Sequence, residues 1–319
     1  MDVVGIGALN VDLLYEVSSL CVGGVELAAG SKTYGSEAVF EHMVQELRRT
    51  GRLMGQSGGG SAANTTYALA KLGYRTAFLG VVGSDEEGKF ILQSMSGVDV
   101  SRVKKHKHSG KCISLLAHQD RSLIVLPNAN DFFSFTEEDI ELLNSSKFVH
   151  FGSFSADSAL ASQKRLVEYL DERVYLSFTP GEQYAQRGVG QLAPILERTR
   201  ILFLNEREMK LMTGRGPVEG ARSLLESGPH VVVCTMGAEG SVIVTRNTEL
   251  IIPAKRSMVI DVTGAGDVYA AGFLAGYIDG ASLETCGQIA SAASALSIAS
   301  YGREGYPDER LLHMFAREM

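Results

Sequence analysis

Residues 261–267 (DVTGAGD) place two carboxylates around a run of very small residues, directly before an apolar segment. Gly264, Ala265 and Gly266 permit a sharp turn into a helix and leave backbone N–H groups at the positive end of its dipole. Such a turn can hold a phosphoryl group, while Asp267 could accept a proton from an attacking hydroxyl. The stretch predicts phosphoryl transfer, and a simple helix cap with a structural turn is the alternative.

A second glycine-rich stretch, residues 57–73 (SGGGSAANTTYALAKLG), opens what reads as a helix over residues 61–72. A glycine loop lets a ligand approach the backbone, and a helix N-terminus favours an anion or a polar group. The Lys-Ser/Thr pair of a Walker A loop is missing from it. The stretch predicts a ligand-binding turn, with a flexible structural turn as the equal alternative.

The first strand is followed by a third motif, residues 5–10 (GIGALN). It begins like a dinucleotide fingerprint, but Asn10 stands at the third glycine position and the next residues alternate like a strand, which argues against a nicotinamide or flavin site. Asn10 and Asp12 are two residues apart, so they lie on one side of a strand. They either bind hydroxyl groups or satisfy the backbone.

The elements that must position these motifs alternate between strand and helix from residue 137 onward, which predicts a parallel sheet with helices on both faces. Hairpin patterns near residues 3–36 and over 112–118 and 122–126 predict a small attached β subdomain. Residues 38–53 read as an amphipathic helix. We expect one domain over residues 1–319, with a lid subdomain built from about 10–57 and about 110–128.

Composition bounds the function further. The chain has 319 residues, 45% of them hydrophobic, with a net charge of −7, which disfavours disorder and a nucleic-acid partner. The four cysteines are far apart and fit no zinc spacing, so reduced thiols are expected. A signal peptide and a membrane-length apolar run are both missing. We therefore expect a cytoplasmic protein with a small-molecule partner.

Five motifs in order carry a resemblance that spans most of the chain. They are GALNVD near the start, GGGSAANTTYALAKLG, NERE (205–208), TMGAEG (235–240) and DVTGAGD. In this order they resemble the ribokinase-like (phosphofructokinase B) family of sugar and nucleoside kinases. The resemblance implies a three-layer α/β/α sandwich around a mostly parallel sheet with a small β lid, and the use of ATP and Mg²⁺.

The resemblance also implies a role for each matching residue. Asp267 would be the catalytic base, beside an anion hole made by the amides of residues 264–267. Glu208 would organise Mg²⁺ through water, and Asp261 is a candidate ligand of a monovalent cation such as K⁺. The nucleotide would be bound by Asn205, Glu208, Thr235, Gly237 and Gly240, and the acceptor's hydroxyls by Asn10, Asp12, Gly59, Gly60 and Asn64.

Two stretches depart from the common family pattern: Val262 replaces a Thr, and FTPG (178–181) replaces an Asp-x-Asn-x-Arg sequence. A third departure is the length of the stretch between Asp12 and Gly58, which includes the predicted helix with Arg48, Arg49 and Arg52. That helix could bring arginines to an acceptor phosphate, bury its Val39, Met43 and Leu47 face in a homodimer, or cover the lid as a solvated helix.

The main functional prediction is an ATP-dependent kinase that phosphorylates a primary hydroxyl of a sugar. A nucleoside kinase, a sugar-phosphate kinase and a catalytically silent sugar- or nucleoside-binding protein are the alternatives. Four phenylalanines could stack a nucleobase, although core packing is the simpler expectation for each: Phe40, Phe132, Phe133 and Phe154. A homodimer through the lid edge is a further expectation.

Overall fold

A computed structural model describes residues 1–28, 32–35, 37–117 and 120–315. The strands are β1 (Val3–Ile6), β2 (Asn10–Glu16), β3 (Cys21–Val22), β4 (Val25–Glu26), β5 (Lys32–Tyr34), β6 (Arg52–Gly59), β7 (Thr76–Leu79), β8 (Val81–Val82), β9 (Val98–Asp99), β10 (Lys104–Lys105), β11 (Gly110–Ala117), β12 (Asp120–Leu126), β13 (Phe148–Phe151), β14 (Tyr175–Phe178), β15 (Thr199–Asn205), β16 (Val231–Thr235), β17 (Ser241–Val244) and β18 (Glu249–Ile252).

The α-helices alternate with these strands. They are α1 (Glu37–Thr50), α2 (Ser61–Lys71), α3 (Glu86–Ser94), α4 (Glu137–Asn144), α5 (Asp157–Val167), α6 (Gly181–Ala185), α7 (Gly188–Arg198), α8 (Glu206–Thr213), α9 (Pro217–Leu225), α10 (Ala265–Ile278), α11 (Leu283–Ser297) and α12 (Arg310–His313). Short 3₁₀ turns cover Asn128–Phe132 and Gly237–Glu239.

The main sheet has the strand order β18-β17-β16-β15-β14-β13-β1-β7-β9 in the described part of the chain. Its strands run parallel from β16 to β9, and β17 and β18 are antiparallel. Parallel neighbours need crossover helices, which explains the strand–helix alternation that the sequence displays. Their carboxyl ends meet at one edge, where ligands of open α/β sheets bind.

Helices cover both faces of this sheet because side chains alternate along its strands. Val4 and Ile6 of β1 point into a core formed with α4, α5, α7, α8 and α9. Val3 of the same strand points into the opposite core, with α2, α10 and α11. The predicted α/β class and its three layers are therefore confirmed.

A second, five-stranded sheet has the order β5-β12-β11-β2-β6. Alternation again separates its two faces. Asn10 and Asp12 face the site described below, whereas Tyr15 packs on the other side against α1. Strands β11 and β12 form the predicted antiparallel hairpin; residues 118 and 119 of its turn lie outside the described residues.

Helix α1 covers the outer face of the five-stranded sheet. Met43 and Leu47 are fully buried there within the same chain, so most of the face that a homodimer clasp would need is already occupied. Arg49 pairs with Glu46 at 3.3 Å, and Arg52 with Glu16 at 2.7 Å. The helix therefore fits the third hypothesis, a solvated helix over the lid.

The segment after α1 differs from the sequence prediction. The predicted helix over 38–53 ends at Thr50, and Arg52–Gly59, where the sequence pattern predicts no strand, form β6. This strand has three glycines and little intrinsic strand propensity. It forms because it pairs antiparallel with β2 along its whole length, a tertiary contact that local pattern does not reveal.

The sequence also gave no indication of α6 and α7, which follow the FTPG stretch. Glycines begin both helices, Gly181 at φ 63° and Gly188 at φ 75°, and Pro194 lies within α7. Those residues favour turns in a local interpretation. Among the described residues, no helix is long and apolar enough to span a membrane.

Candidate active site

Two adjoining cavities lie between the main sheet and the five-stranded sheet. The smaller, of about 490 Å³, is called the cleft; the larger is about 660 Å³, and the two share Asp12, Cys112 and Thr263. Most of the predicted site residues line the cleft: Asn10, Asp12, Gly60, Asn205, Glu208, Thr235, Gly264, Ala265, Gly266 and Asp267. Residues from both glycine-rich motifs and from the Asn-x-x-Glu motif thus meet in one place.

Asp267 lies in the first turn of α10. The helix begins after Gly264, which has φ 74°, a left-handed conformation that glycine adopts without steric penalty. The first i→i−4 hydrogen bond of the helix runs from Val268 N to Gly264 O at 2.9 Å. The backbone N–H groups before Val268 therefore have no i−4 carbonyl partner within the helix. Ala265 N donates to Val262 O at 3.2 Å, which gives this predicted anion-hole amide an internal partner.

Helix α2 holds the Asp267 side chain from the opposite direction. Ser61 Oγ donates to Oδ1 at 2.6 Å, and Asn64 Nδ2 donates to Oδ2 at 2.9 Å. Thr65 Oγ1 donates to the Asp267 carbonyl oxygen at 3.1 Å. Sequence reasoning did not include Ser61 or Thr65. Ser61 lies three residues before Asn64 and four before Thr65 in an apolar helix, and this spacing on one helix face was the available signal.

The glycines before α2 each make room for a different neighbour. A Cβ on Gly58 would lie 2.1 Å from Ser94 Oγ, and one on Gly59 would lie 2.1 Å from an Asp12 carboxylate oxygen. Gly60 has φ 109°, and a Cβ there would lie 2.0 Å from Ala8 O. Close approach, rather than flexibility, explains this glycine run.

Asn10 is fixed by a residue that the sequence analysis missed. Buried Asn130 donates to Asn10 Oδ1 at 2.9 Å and exchanges hydrogen bonds with both backbone groups of Leu9. Asn10 lies opposite Gly59 in the β2–β6 register, and Asp12 lies opposite Ser57. The predicted hydroxyl-binding pair is thereby presented on one face of β2 toward the cleft.

The Asn-x-x-Glu motif forms a capping box at the start of α8. Asn205 Oδ1 accepts from Glu208 N at 2.8 Å, and Glu208 Oε2 accepts from Asn205 N at 3.1 Å. The spacing therefore has a structural function as well as a place in the cleft. Among the described residues there is no cluster of three or more His, Cys, Asp or Glu side chains that could hold a metal.

The loop after β16 carries the remaining nucleotide-site predictions. Thr235 ends the strand at the cleft, while Gly237 and Gly240 adopt φ 56° and 96°. A Cβ on Gly240 would lie 2.0 Å from Ile252 O, whereas Gly237 has open space around it. Gly240 is thus required by packing against β18, and Gly237 only by its backbone conformation.

Asp261 lines the larger cavity rather than the cleft. Its carboxylate accepts from Thr263 N at 2.9 Å, from Thr263 Oγ1 and from Gly302 N at 3.2 Å. These bonds join the loop before α10 to the loop after α11. The adjacent Val262 is 57% exposed and contributes no side-chain oxygen at this position.

Arg303, in that second loop, is a residue with no local sequence signal. Its side chain is buried and donates from Nε to Asn64 Oδ1 at 3.0 Å. Burial lowers the pKa of the guanidinium, and the nearby Asp12 and Asp267 oppose that shift. The same residue lies against Gly58, where a Cβ would be 2.9 Å from Nη1.

The four phenylalanines considered for base stacking lie away from the cleft. Phe40 belongs to α1 and is buried against the five-stranded sheet. Phe133 and Phe154 stack on each other in the main core with centroids 4.7 Å apart. Phe132 is 54% exposed and packs on His106. The expected core packing holds for three of them, and Phe132 lies at the surface.

Comparisons with known proteins place the chain in one family over most of its length. A family model described as pfkB family carbohydrate kinase matches residues 20–308. An uncharacterized sugar kinase of Archaeoglobus fulgidus is 34% identical over 75% of this chain and 98% of its own length. A nucleoside kinase of Methanothermobacter thermautotrophicus is 32% identical over 77% of this chain and 80% of its own.

The fold is also similar to that of solved kinase structures over the whole chain. The crystal structure of adenosine kinase from Sinorhizobium meliloti superimposes with a TM-score of 0.87 at 23% identity, covering 100% of this chain and 99% of that one. The chain therefore belongs to the pfkB family of carbohydrate kinases. It is a phosphotransferase with an alcohol group as acceptor, in a family whose kinases use ATP.

Proposed function

We propose that the protein transfers the γ-phosphoryl group of ATP to a primary hydroxyl of a sugar, with Asp267 as the proton acceptor. The observation that carries this is the bonding of both Asp267 oxygens by α2, at the start of α10 and in the wall of the cleft. A carboxylate fixed in this way can be aimed at one hydroxyl.

In the proposed reaction the acceptor hydroxyl attacks the γ-phosphorus of ATP, and the bond from that phosphorus to the β,γ-bridging oxygen breaks, so that ADP leaves. The hydroxyl proton passes to a carboxylate oxygen of Asp267. The helix-start amides of Gly264, Gly266 and Asp267 would hydrogen-bond the charged oxygens of the transferred group. Asn10, Asp12 and Asn64 would orient the acceptor, since carboxylates and amides match hydroxyls that both donate and accept. We also propose that the five-stranded sheet serves as the lid over this reaction.

Magnesium binding fits Glu208 and Asn205 only through water. The chemistry of the donor set is suitable, one carboxylate and one amide oxygen at the cleft, but both already serve the α8 capping box. A hexacoordinate cation with few protein ligands keeps several waters and binds phosphate oxygens directly. When bound, Mg²⁺ would neutralise charge on the phosphates.

We also propose a monovalent-cation site and a cytoplasmic location. A monovalent cation such as K⁺ would be held near Asp261, whose carboxylate joins the two loops below α10. Turnover with and without K⁺ tests it directly. A cytoplasmic location is proposed from the free cysteines, three of which are buried.

A homodimer is proposed through the exposed edge strand β6, because the α1 face is occupied. An unpaired edge is a ready site for strand pairing. Light scattering would show twice the monomer mass, and a monomer at all concentrations would contradict the proposal.

The acceptor is tested by an ADP-release assay with Mg-ATP against ribose, fructose, common nucleosides and sugar phosphates. A sugar acceptor should give the highest kcat/KM, because the residues presented to the cleft by β2 are polar and the four candidate stacking aromatics lie elsewhere. A preference for nucleosides or for sugar phosphates would replace the sugar assignment. Turnover on none of them, with nucleotide still bound, would contradict the proposed function.

A further inference from the structure

Arg303 is a buried cation whose hydrogen-bond partners are neutral in the described part of the chain. Nη1 donates to Ser94 O at 3.2 Å and to Ser94 Oγ at 3.3 Å, and the guanidinium lies 4.9 Å from the centroid of the Tyr67 ring. Nη2 is buried and has no hydrogen-bond partner among the described residues. Burying a guanidinium without a contacting carboxylate is energetically unfavourable.

The contact that distinguishes Arg303 from a packing residue is the one to Asn64. Nε donates to Asn64 Oδ1 at 3.0 Å, and Asn64 Nδ2 donates to Asp267 Oδ2 at 2.9 Å. A guanidinium can only donate and an ionised carboxylate can only accept. The Asn64 amide can therefore satisfy both neighbours in one orientation only.

We propose that Arg303 is a positioning residue for Asp267, acting through Asn64; this rests on the proposed function. By holding the amide oxygen, Arg303 keeps the amide N–H on Oδ2, while Ser61 holds Oδ1. Without Arg303 the amide can turn and present its oxygen to the Asp267 carboxylate, which repels it. The carboxylate then loses one of the two bonds that fix its plane.

The path of the side chain supports this role. A Cβ on Gly58 of β6 would lie 2.9 Å from Nη1, so the absence of a side chain at this position leaves room for the guanidinium. Nη2 is buried, so a cavity ligand does not reach it in this conformation. Arg303 lines the larger cavity but not the cleft that contains Asp267, so it acts on the reaction through its neighbour.

Two substitutions that keep a long side chain at this position, Arg303→Met and Arg303→Lys, test the proposal. Neither has a planar fork that can bond Asn64 while resting on Ser94. We expect kcat to fall by about tenfold or more in both, since small misplacement of a catalytic group is costly. The KM for Mg-ATP should stay within about twofold of the wild-type value, because the residues proposed to bind the nucleotide are unchanged. A wild-type kcat in folded Arg303→Lys would overturn the proposal.

Ser94→Ala is the matched control. It removes a hydroxyl from the Nη1 side and leaves the Nε–Asn64 bond in place. We expect kcat within about threefold of wild type, since one hydrogen bond away from Asn64 is lost. A loss equal to that of Arg303→Met would assign the effect to packing of the arginine and overturn the proposal.

A double-mutant cycle with Asn64→Ala separates positioning from a general structural effect. If Arg303 acts through Asn64, Arg303→Met in the Asn64→Ala background should lower kcat by no more than about twofold further. If the loss of kcat in the double variant equals the product of the losses in the two single variants, Arg303 and Asn64 act independently, which would contradict the proposal.

Crystal structures of the Arg303 variants give a readout that does not depend on turnover. We expect the Asn64 amide to leave hydrogen-bond distance of Asp267 Oδ2; an unchanged bond would overturn the inference even if the enzyme is a kinase. Absence of wild-type turnover would instead contradict the proposed function, and this structural readout would still decide the inference. If Arg303→Met does not fold, Arg303→Lys carries both measurements.

Discussion

The two sides of the cleft are built in different ways. On the side proposed to bind the acceptor, called the acceptor side below, Ser61 and Asp267 are 206 residues apart, and Arg303 and Asn64 are 239 apart. On the side proposed to bind the nucleotide, called the nucleotide side below, Asn205 and Glu208 bond across three residues, in one helix cap. One side is a product of long-range packing between α2, α10 and the loop after α11; the other is a product of local backbone geometry.

This difference predicts different responses to mutation. A change on the acceptor side alters a bond between distant elements and should affect the chemical step or the acceptor. A change on the nucleotide side should affect a cap or a turn, and with it the nucleotide or its metal. Each substitution below alters residues on one side of the cleft, and the kinetic constants that depend on the other side serve as its control.

The largest effect is expected for Asp267→Asn on the acceptor side. The amide cannot take the hydroxyl proton, so kcat should fall by at least about 100-fold, as for loss of a general base. ATP binding, measured by calorimetry, should remain, because the nucleotide-side residues are unchanged. A near-normal kcat would remove the assigned role.

Glu208→Gln should give the next largest effect, on the nucleotide side. Glutamine can keep the capping box, but the negative charge is lost. We expect kcat about tenfold lower at fixed Mg²⁺ and partly restored at high Mg²⁺, with acceptor KM unchanged. Glu206→Gln, in the same helical turn but not in the cleft wall, is the control; an equal loss there would assign the effect to helix charge.

A pair of glycine substitutions sharpens the comparison. In Gly59→Ala the new Cβ meets the Asp12 carboxylate, so acceptor KM should rise by about tenfold, the value of one charge-assisted hydrogen bond. In Gly237→Ala the Cβ has open space but φ is 56°, so the free energy of unfolding should fall by about 1 kcal/mol. Steady-state kinetics and urea unfolding measure the two. Reversed outcomes would contradict the steric account of these turns.

The smallest effect is expected on the outer face of the five-stranded sheet, which we propose as the lid. Arg48→Ala and Arg49→Ala should change acceptor KM by less than about twofold for sugars and sugar phosphates alike, as for exposed surface charges. Arg48 lines a separate cavity beside α1, and Arg49 pairs with Glu46. A selective rise in KM for a phosphorylated acceptor would restore the hypothesis of a phosphate-binding helix.

The same distinction explains what the sequence could predict. Local sequence pattern predicts helices over residues 86–94, 137–144 and 206–213 and strands over 148–151, 231–235 and 249–252. The structure has α3, α4, α8, β13, β16 and β18 at these residues. The predicted residues that line the cleft belong to short motifs whose spacing is itself local. The family resemblance supplied their roles, which stay proposals until they are tested.

The missing parts depend on distant partners. Strand β6 exists through its pairing with β2, and its glycines accommodate Asp12 and Arg303. Ser61, Asn130 and Arg303 enter the site through bonds that span more than 100 residues. Local propensity contains no information on such pairs, so only the folded chain shows them.

The most direct test of the central claim is identification of the product. The best acceptor from the panel is incubated with Mg-ATP, and the products are analysed by phosphorus NMR and mass spectrometry, with Asp267→Asn in parallel. The account predicts one phosphate monoester on the acceptor's primary hydroxyl for each ADP, and almost none with the variant. Release of ADP with inorganic phosphate and no phosphorylated acceptor, or equal product from the variant, would contradict it.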